Sequence, residues 1–342
     1  MRAVRLHRLG GPEVLEVEEA QDPVPGPLDL LVRVEATSIN RRDLWMRAGH
    51  PHPAYHVPLP AILGIDLSGH VVTTGEEVED SWVGQRITIN PYITCGRCEY
   101  CRRERSQYCT AFDVYHGTYA ELAVVPRALA VPVAADVPAE HVACFANAYI
   151  TAWEMLVTKA GVGPEDVVFV WAGTSGLGSA AIDIARLAGA RVIASAGSPA
   201  KLTEVGKLGP DLIVDHHNDD VVARTLEFTG GLGASIVFEH VAQATGERSL
   251  ALCASGGTIV SAGATSGDEV TMDVTAMFVK QVRILGSRLG TMDDALSAAR
   301  HLNAGRFAPL IADVLALDGV AEGHRRLEQG DAAGKLVVRV DG

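Results

Sequence analysis

No uninterrupted apolar run in this 342-residue chain approaches the roughly 20 residues that span a bilayer, so a transmembrane helix is not expected. Met1 to Gly10 carries charges and no apolar core segment, and is not read as a secretory leader; the chain reads as cytoplasmic. Basic excess is also missing. With 29 Lys and Arg against 42 Asp and Glu, the formal net charge of −13 disfavours nonspecific binding to nucleic acid or acidic membrane, while leaving room for a local basic pocket. There is no internal repeat, low-complexity stretch or block of like charge. What remains is an ordinary globular composition, 48% hydrophobic and 21% charged, in a chain longer than the roughly 250–300 residues at which single cores stop growing. Two domains are expected.

Cysteine is scarce, but four of the six stand together at Cys95, Cys98, Cys101 and Cys109, spaced by two, two and seven residues. Four thiolates at about 2.3 Å satisfy one tetrahedral Zn2+, which makes a closed structural site. An iron–sulfur cluster also takes four thiolates, yet the Cys-Pro end and three-residue last gap of a two-cluster run are absent. Disulfides are the other alternative, disfavoured because paired Cys-x-x-Cys in a chain without a leader usually binds metal or does redox chemistry. Cys144 and Cys253 sit in apolar stretches and read as core.

Texture changes near residue 150. Before it come short strand-like runs, Leu30 to Ala36, Gly69 to Thr73 and Arg86 to Ile89, broken by Pro and Gly, as in a twisted β-domain. After it, strand, turn and helix alternate, with strands expected at 167–171, 191–194, 212–214, 235–239, 258–262 and 283–285. That pattern is α/β, a doubly wound parallel sheet. Helices follow near 293–303 and 317–329, and an alternating strand at 335–340 is expected to return to the first domain.

The first strand of the sheet runs into Ala172-Gly-Thr-Ser-Gly-Leu-Gly178 and an alanine-rich helix. In that context Gly173, Thr174, Ser175, Gly176, Leu177 and Gly178 form a loop on which a dinucleotide pyrophosphate rests at a helix N-terminus. Ser175 occupies the middle glycine position of the fingerprint. About twenty residues on, a carboxylate would bind the ribose of NAD; here the chain reads Ala196-Gly-Ser-Pro-Ala-Lys201. Ser198 can donate a hydrogen bond and Lys201 brings positive charge, so NADP(H) is expected over NAD(H). Ser198 also suits the N-cap of a helix begun by Pro199. Gly263 and Leu289, beyond the ends of the last two strands, complete the candidate cofactor set.

Together these features, with Gly11-Pro-Glu-Val-Leu, Gly117-Thr-Tyr-Ala-Glu121, Thr151-Ala-Trp153 and Gly334-Lys-Leu-Val-Val, resemble a zinc-containing medium-chain dehydrogenase/reductase nearly end to end. The superfamily includes alcohol dehydrogenases and quinone oxidoreductases. The resemblance implies a GroES-like β catalytic domain over residues 1–150 plus 290–342, with the zinc lobe at about 91–112, and a Rossmann domain over 151–289. It also implies a cleft between them for nicotinamide and a small-molecule carbonyl or quinone, and commonly a homodimer. Apolar residues from Met277 to Leu289 suit an edge-to-edge dimer, and core burial explains them as well.

In the zinc-dependent alcohol dehydrogenases of this family, a Cys, a His followed by Glu, and a third Cys or acidic residue hold a second, catalytic zinc. The matching stretches here supply Asn40, Ile65 and Asn147, with Asp66 in the acidic slot, so no catalytic zinc is expected. Zinc lowers the pKa of bound water from about 16 to about 7, on the order of 12 kcal/mol, which an asparagine cannot replace. Adding hydride to the β-carbon of an α,β-unsaturated carbonyl asks less, since the enolate needs only hydrogen-bond donors. The zinc-free quinone and enone reductases of the family carry Asn and Asp where this chain has Asn40 and Asp43. The expectation is an NADPH-dependent reductase of quinones or enones, with Thr151 fixing the nicotinamide and Asn40 and Asn147 turning amide N–H groups to the substrate oxygen. Asp43 and Asp66 support the fold. Tyr55 and His56, with His50 and His52 of the same loop, are candidate proton donors, and solvent is another. Two alternatives stay open: an alcohol or aldehyde dehydrogenase with an atypical metal site using Cys144 and a loop histidine, and a non-catalytic NADPH-binding scaffold or sensor.

Overall fold

The computed structural model describes residues 1–340, which divide into two compact units, 1–150 with 291–340 and 151–290. In the first unit the strand Asp29–Ile39 is the hub. Leu30, Val32, Val34 and Ala36 alternate inward, the period of a pleated strand with one buried face. It pairs antiparallel with Ser68–Thr74, Leu122–Pro126 and Lys335–Arg339, and the last of these pairs parallel with Ile311–Ala316. Arg86–Ile89 and Ala130–Pro132 extend the sheet to seven strands. A smaller sheet sets Arg2–Leu6 between Leu15–Glu19 and Ala61–Ile62.

The hub strand runs three residues beyond its expected end at Ala36. Thr37 and Ser38 are polar and gave no apolar signal, yet both are fully buried, with Thr37 Oγ1 donating to Asp66 O at 2.8 Å. They face Val338 and Val337, so the chain's last strand closes the core opened by its third.

The second unit is a six-stranded sheet with every pairing parallel. Counted along the chain, the strands lie in the order 3-2-1-4-5-6: Leu212–Asp215, Arg191–Ala196, Val167–Val170, Ala234–Glu239, Cys253–Ser261 and Arg283–Gly286. Val167–Val170 is buried throughout, as a strand covered by helices on both faces must be. The order reverses beside it, which puts the topological switch point at its carboxyl end. The fifth strand begins at Cys253, ahead of the expected Thr258, because Ala-Ser-Gly-Gly carries no hydrophobic alternation. In the first unit, the helix expected over 317–329 is a 3-10 turn, Leu317–Gly319, followed by an α-helix, Val320–Gln329. Among the described residues no helix is long and apolar enough to cross a membrane.

Leu336 is buried in the closing strand between two neighbours. Leu336→Ala should destabilise the first unit by about 2–5 kcal/mol in urea unfolding, whereas Val314→Ala, on the exposed face of the adjacent strand, should stay within about 0.5 kcal/mol.

Candidate functional site

The four-cysteine lobe is built by short turns. Cys98 caps the helix Glu99–Arg102, its sulfur accepting the Cys101 N–H at 3.5 Å, while the Cys98 and Cys95 N–H groups donate to Cys95 and Cys109 sulfurs at 3.3 and 3.4 Å. Sulfur–sulfur separations are 3.5 Å for Cys98–Cys101, 3.6 Å for Cys95–Cys109 and 4.0 Å for Cys98–Cys109. A disulfide requires about 2.05 Å, so none is formed. A tetrahedron of sulfurs at about 2.3 Å from a central ion has edges of about 3.8 Å, and the observed spacings match it. Backbone N–H groups from Cys101 and Thr110 lower the Cys98 thiol to about 6, while burial and the neighbouring thiols raise Cys101 to about 11. The donor set and its geometry fit a closed tetrahedral ion.

A second constellation lies where the hub strand meets the helix Arg41–Ala48. Asn40 precedes that helix, and Asp43 Oδ2 accepts its N–H at 2.9 Å, tying down one of the otherwise unpaired donors at the helix start. The Asn40 amide does not face outward as expected. Its nitrogen donates to Asp66 Oδ2 at 2.8 Å and Ser38 O at 3.2 Å, which spends both hydrogens, because a buried amide must find partners. Its oxygen accepts from Asn147 Nδ2 at 2.9 Å and from Lys335 Nζ at 2.6 Å. Lys335 also meets Asp66 Oδ2 at 2.9 Å, an ion pair with side chains 5% and 0% exposed. Asp66 further accepts from the Ser38 hydroxyl and from the Asn147 N–H at 2.8 Å. Asn147 itself lies in a π-helical turn, Phe145–Tyr149.

Lys335 went unnoticed in the sequence. The available signal was a lysine opening an otherwise apolar strand, Lys335–Arg339. Its three N–H groups include one beyond the two bonds above. Ile65, at the family's histidine position, is fully buried and has no lone pair. Asn40, Ile65, Asn147 and Asp66, which the family resemblance aligns with a catalytic zinc, thus offer two amides, an isoleucine and a carboxylate already paired with Lys335, and they do not fit that ion. Among the described residues the four cysteines are the one group of three or more His, Cys, Asp or Glu able to converge on a metal, and Cys144 belongs to none; burial pushes its thiol up to about 12.

Asp43 is also fully buried. Its Oδ2 takes the Tyr119 hydroxyl at 2.8 Å, its Oδ1 has no partner, and burial raises its pKa to about 6. The histidine loop packs on itself. Tyr55 meets the Trp45 and His50 rings edge-on at 4.9 Å each and lies 5.2 Å beneath the Arg42 guanidinium. His50 and His52 accept backbone N–H groups through Nδ1, at 3.2 and 3.1 Å, and His56 is exposed.

In the second unit, Ser175 explains the altered glycine fingerprint. It is the N-cap of Gly176–Leu187, its hydroxyl accepting the Gly178 N–H at 2.9 Å. A methyl group at Gly178 would approach Ala172 O to 2.4 Å, so the loop requires glycine there for close packing. Gly173 donates to Ser195 O at 2.7 Å, joining the loop to the second strand. Ser198 caps Pro199–Lys207 and receives the Lys201 N–H at 3.4 Å. The site has a bare glycine turn, a 12-residue helix aimed at the switch point, and no carboxylate at the second-strand tip, and it fits a dinucleotide. Gly263 packs against His240 O, Leu289 is buried with φ of +52°, and Thr151 is buried on the short helix Ile150–Trp153.

A GroES-like unit joined to a Rossmann unit with this glycine loop defines an oxidoreductase that uses NAD(P). The chain belongs to the medium-chain dehydrogenase/reductase superfamily: residues 26–135 match the alcohol dehydrogenase GroES-like domain and 176–304 the zinc-binding dehydrogenase family. A crystal structure of an NAD-dependent alcohol dehydrogenase is 40% identical, with a TM-score of 0.94 over 99% of this chain and 100% of that one. An NAD-dependent alcohol dehydrogenase of Sulfurisphaera tokodaii is 27% identical over 99% of both chains. The acryloyl-coenzyme A reductase of the same organism is 25% identical over 95% of this chain and 96% of its own.

Two predictions concern this network. Lys335→Met leaves the Asp66 carboxylate buried with neutral donors alone and should cost about 3–5 kcal/mol in chemical unfolding, most of it recovered by Lys335→Met/Asp66→Asn. Asp43 keeps its proton in the folded chain between pH 3.8 and about 6, where the unfolded chain has lost it. Its contribution is complete below pH 3.8 and disappears as pH rises through 6, so Asp43→Asn should gain up to about 3 kcal/mol on wild type between about pH 4 and 7. A pH-independent difference would show that Asp43 is ionised throughout.

Proposed function

We propose that this protein is an NADPH-dependent reductase of quinones or α,β-unsaturated carbonyls that works without a catalytic zinc and carries one structural Zn2+ on Cys95, Cys98, Cys101 and Cys109. The observation that carries the reading is the closed network of Asn40, Asp66, Asn147 and Lys335, where a Lewis acid would otherwise sit. Without a metal, alkoxide formation at neutral pH has no source of comparable stabilisation, whereas an enolate needs only placed donors. When bound, the reduced dinucleotide supplies the hydride. The chain's part is to hold the substrate oxygen with the remaining N–H of Lys335 and the Asn147 amide, oriented by Asn40 and Asp66. Thr151 fixes the nicotinamide, and solvent or the Tyr55–His56 loop supplies the proton that completes reduction, to the α-carbon of an enone or to oxygen of a quinone. The acryloyl-coenzyme A reductase among the relatives supports double-bond reduction, though the alcohol dehydrogenase names among them fit the other reading equally well.

The test follows loss of the reduced cofactor's absorbance with a quinone, an enone, its saturated ketone and an aldehyde. Turnover restricted to the first two is expected, with one zinc per chain by mass spectrometry, and Cys98→Ser should lose that zinc and the thermal stability it confers. Saturated-ketone or aldehyde turnover abolished by chelation would sink the proposal.

We further infer a homodimer through the second unit's sheet edge. Arg283–Gly286 is the terminal strand, and Val274, Phe278 and Val279 beside it are 62%, 60% and 65% exposed, an apolar surface that association would cover. Light scattering should give twice the chain mass, and Phe278→Glu should shift it to monomer; a monomeric wild type rejects the dimer.

A further inference from the structure

The second strand of the parallel sheet, Arg191–Ala196, turns through Gly197 and Ser198 into the helix Pro199–Lys207. The neighbouring third strand, Leu212–Asp215, is followed directly by two consecutive histidines, His216 and His217. A methyl group at Gly197 would lie 2.5 Å from His216 Nε2 and 2.7 Å from His217 Nε2, so both imidazole nitrogens converge on the face that this glycine leaves bare. The rings meet edge-on at 4.7 Å. His216 is held from behind: its Nδ1 lies 3.3 Å from Ser195 Oγ, and its backbone oxygen accepts from Arg248 Nη1 at 3.3 Å. Arg248 in turn lies 4.9 Å over the Trp171 ring. Neither Nε2 has a hydrogen-bond partner among the described residues.

The charges facing His216 are mostly positive. His217 stands on its own turn, Arg248 on the helix Gly246–Leu252 and Lys201 on Pro199–Lys207. The one opposing group is Asp215, whose carboxylate is engaged by Asn218 Nδ2 at 2.8 Å and the His217 N–H at 3.0 Å. Burial first, then His217 and Arg248, bring the His216 pKa down to about 4. Such a ring stays neutral at physiological pH until an anion arrives to favour its charged form.

We propose that His216 and His217 form the subsite that reads the 2′-phosphate of NADP(H), and that phosphate binding draws a proton from solvent onto this pair. The inference rests on the NADP(H) reading above and deepens it, by naming side chains that discriminate and by making the discrimination depend on pH. A phosphate monoester, with its second pKa near about 6, is largely dianionic at neutrality. Placed beside the two imidazoles it favours the imidazolium form of His216, while Lys201 and Arg248 add positive charge. The 2′-hydroxyl of NAD has no charge to offer and leaves His216 neutral. With no Cβ at Gly197, the two imidazoles can pack this close to the second-strand tip, beside Ser198 and Lys201.

Titration calorimetry of the full chain with 2′,5′-ADP and 5′-AMP tests this, in buffers of differing ionisation enthalpy at about pH 6.5 and 8.5, around the histidine range. Wild type should favour 2′,5′-ADP, take up close to one proton with it and none with 5′-AMP, and lose the preference steeply as pH rises, at most about tenfold per unit. In His216→Gln/His217→Gln, 5′-AMP binding should persist while the preference falls at least about tenfold and the additional proton uptake disappears. Should the double variant also lose 5′-AMP, His217→Gln alone, at an exposed ring, replaces it and is expected to lose part of the preference. A wild type with no preference for 2′,5′-ADP overturns the NADP(H) reading itself. A preference and proton uptake that survive in the variants overturn the histidine subsite and leave that reading standing.

Discussion

The ion pair of Lys335 and Asp66 is the constraint around which the first unit is arranged. Burying either charge alone would cost several kcal/mol, and mutual attraction offsets this only when the remaining donors and acceptors are also satisfied. Here Asp66 takes donors from Ser38, Asn40, Asn147 and Lys335. Those four residues come from the hub strand, the first turn beyond it, the π-helical turn and the last strand. Closing that network therefore fixes the strand register, the start of the helix Arg41–Ala48 and the course of the loop carrying Ile65. It also puts an ammonium and two side-chain amides at the one buried carboxylate of this cluster, the arrangement on which the proposed zinc-free chemistry rests.

Local spacing made part of this legible beforehand. The cysteine lobe spans 15 residues, so the sequence alone brings its sulfurs together. The glycine loop is likewise contiguous, and the alternation of strand and helix around it indicates a doubly wound sheet. Asn40, Ile65 and Asn147 could be seen as replacements by comparing short stretches. What could not be read was how they are partnered, since Lys335 lies 269 residues from Asp66 and meets it only when the last strand pairs with the hub. The orientation of the Asn40 amide follows from that distant partner. The same holds for His216 and His217: nothing adjacent in sequence links them to Gly197, and only the parallel pairing of the second and third strands sets them side by side.

Names among the relatives and residues at the strand tip point in different directions on the cofactor. The 40% identical structure is of an NAD-dependent enzyme, whereas this chain has glycine, serine and lysine at the second-strand tip, histidines at the third, and no carboxylate in the ribose position. Cofactor choice in such folds depends on a few tip side chains and changes without altering the sheet, so the local chemistry carries more weight than overall identity. Substrate chemistry has the same character. The fold is common to alcohol oxidation and double-bond reduction, and the donor set around the reacting oxygen separates them.

That separation can be observed directly in the product. An enone is reduced with nicotinamide cofactor bearing deuterium at the transferring position, and the label is located by deuterium NMR. Deuterium on the carbon β to an intact carbonyl is the result the proposed reductase predicts, with Lys335 and Asn147 as the donors assigned to the enolate oxygen. Deuterium on a carbinol carbon, with the double bond retained, would contradict the account and require an electrophile stronger than this network provides.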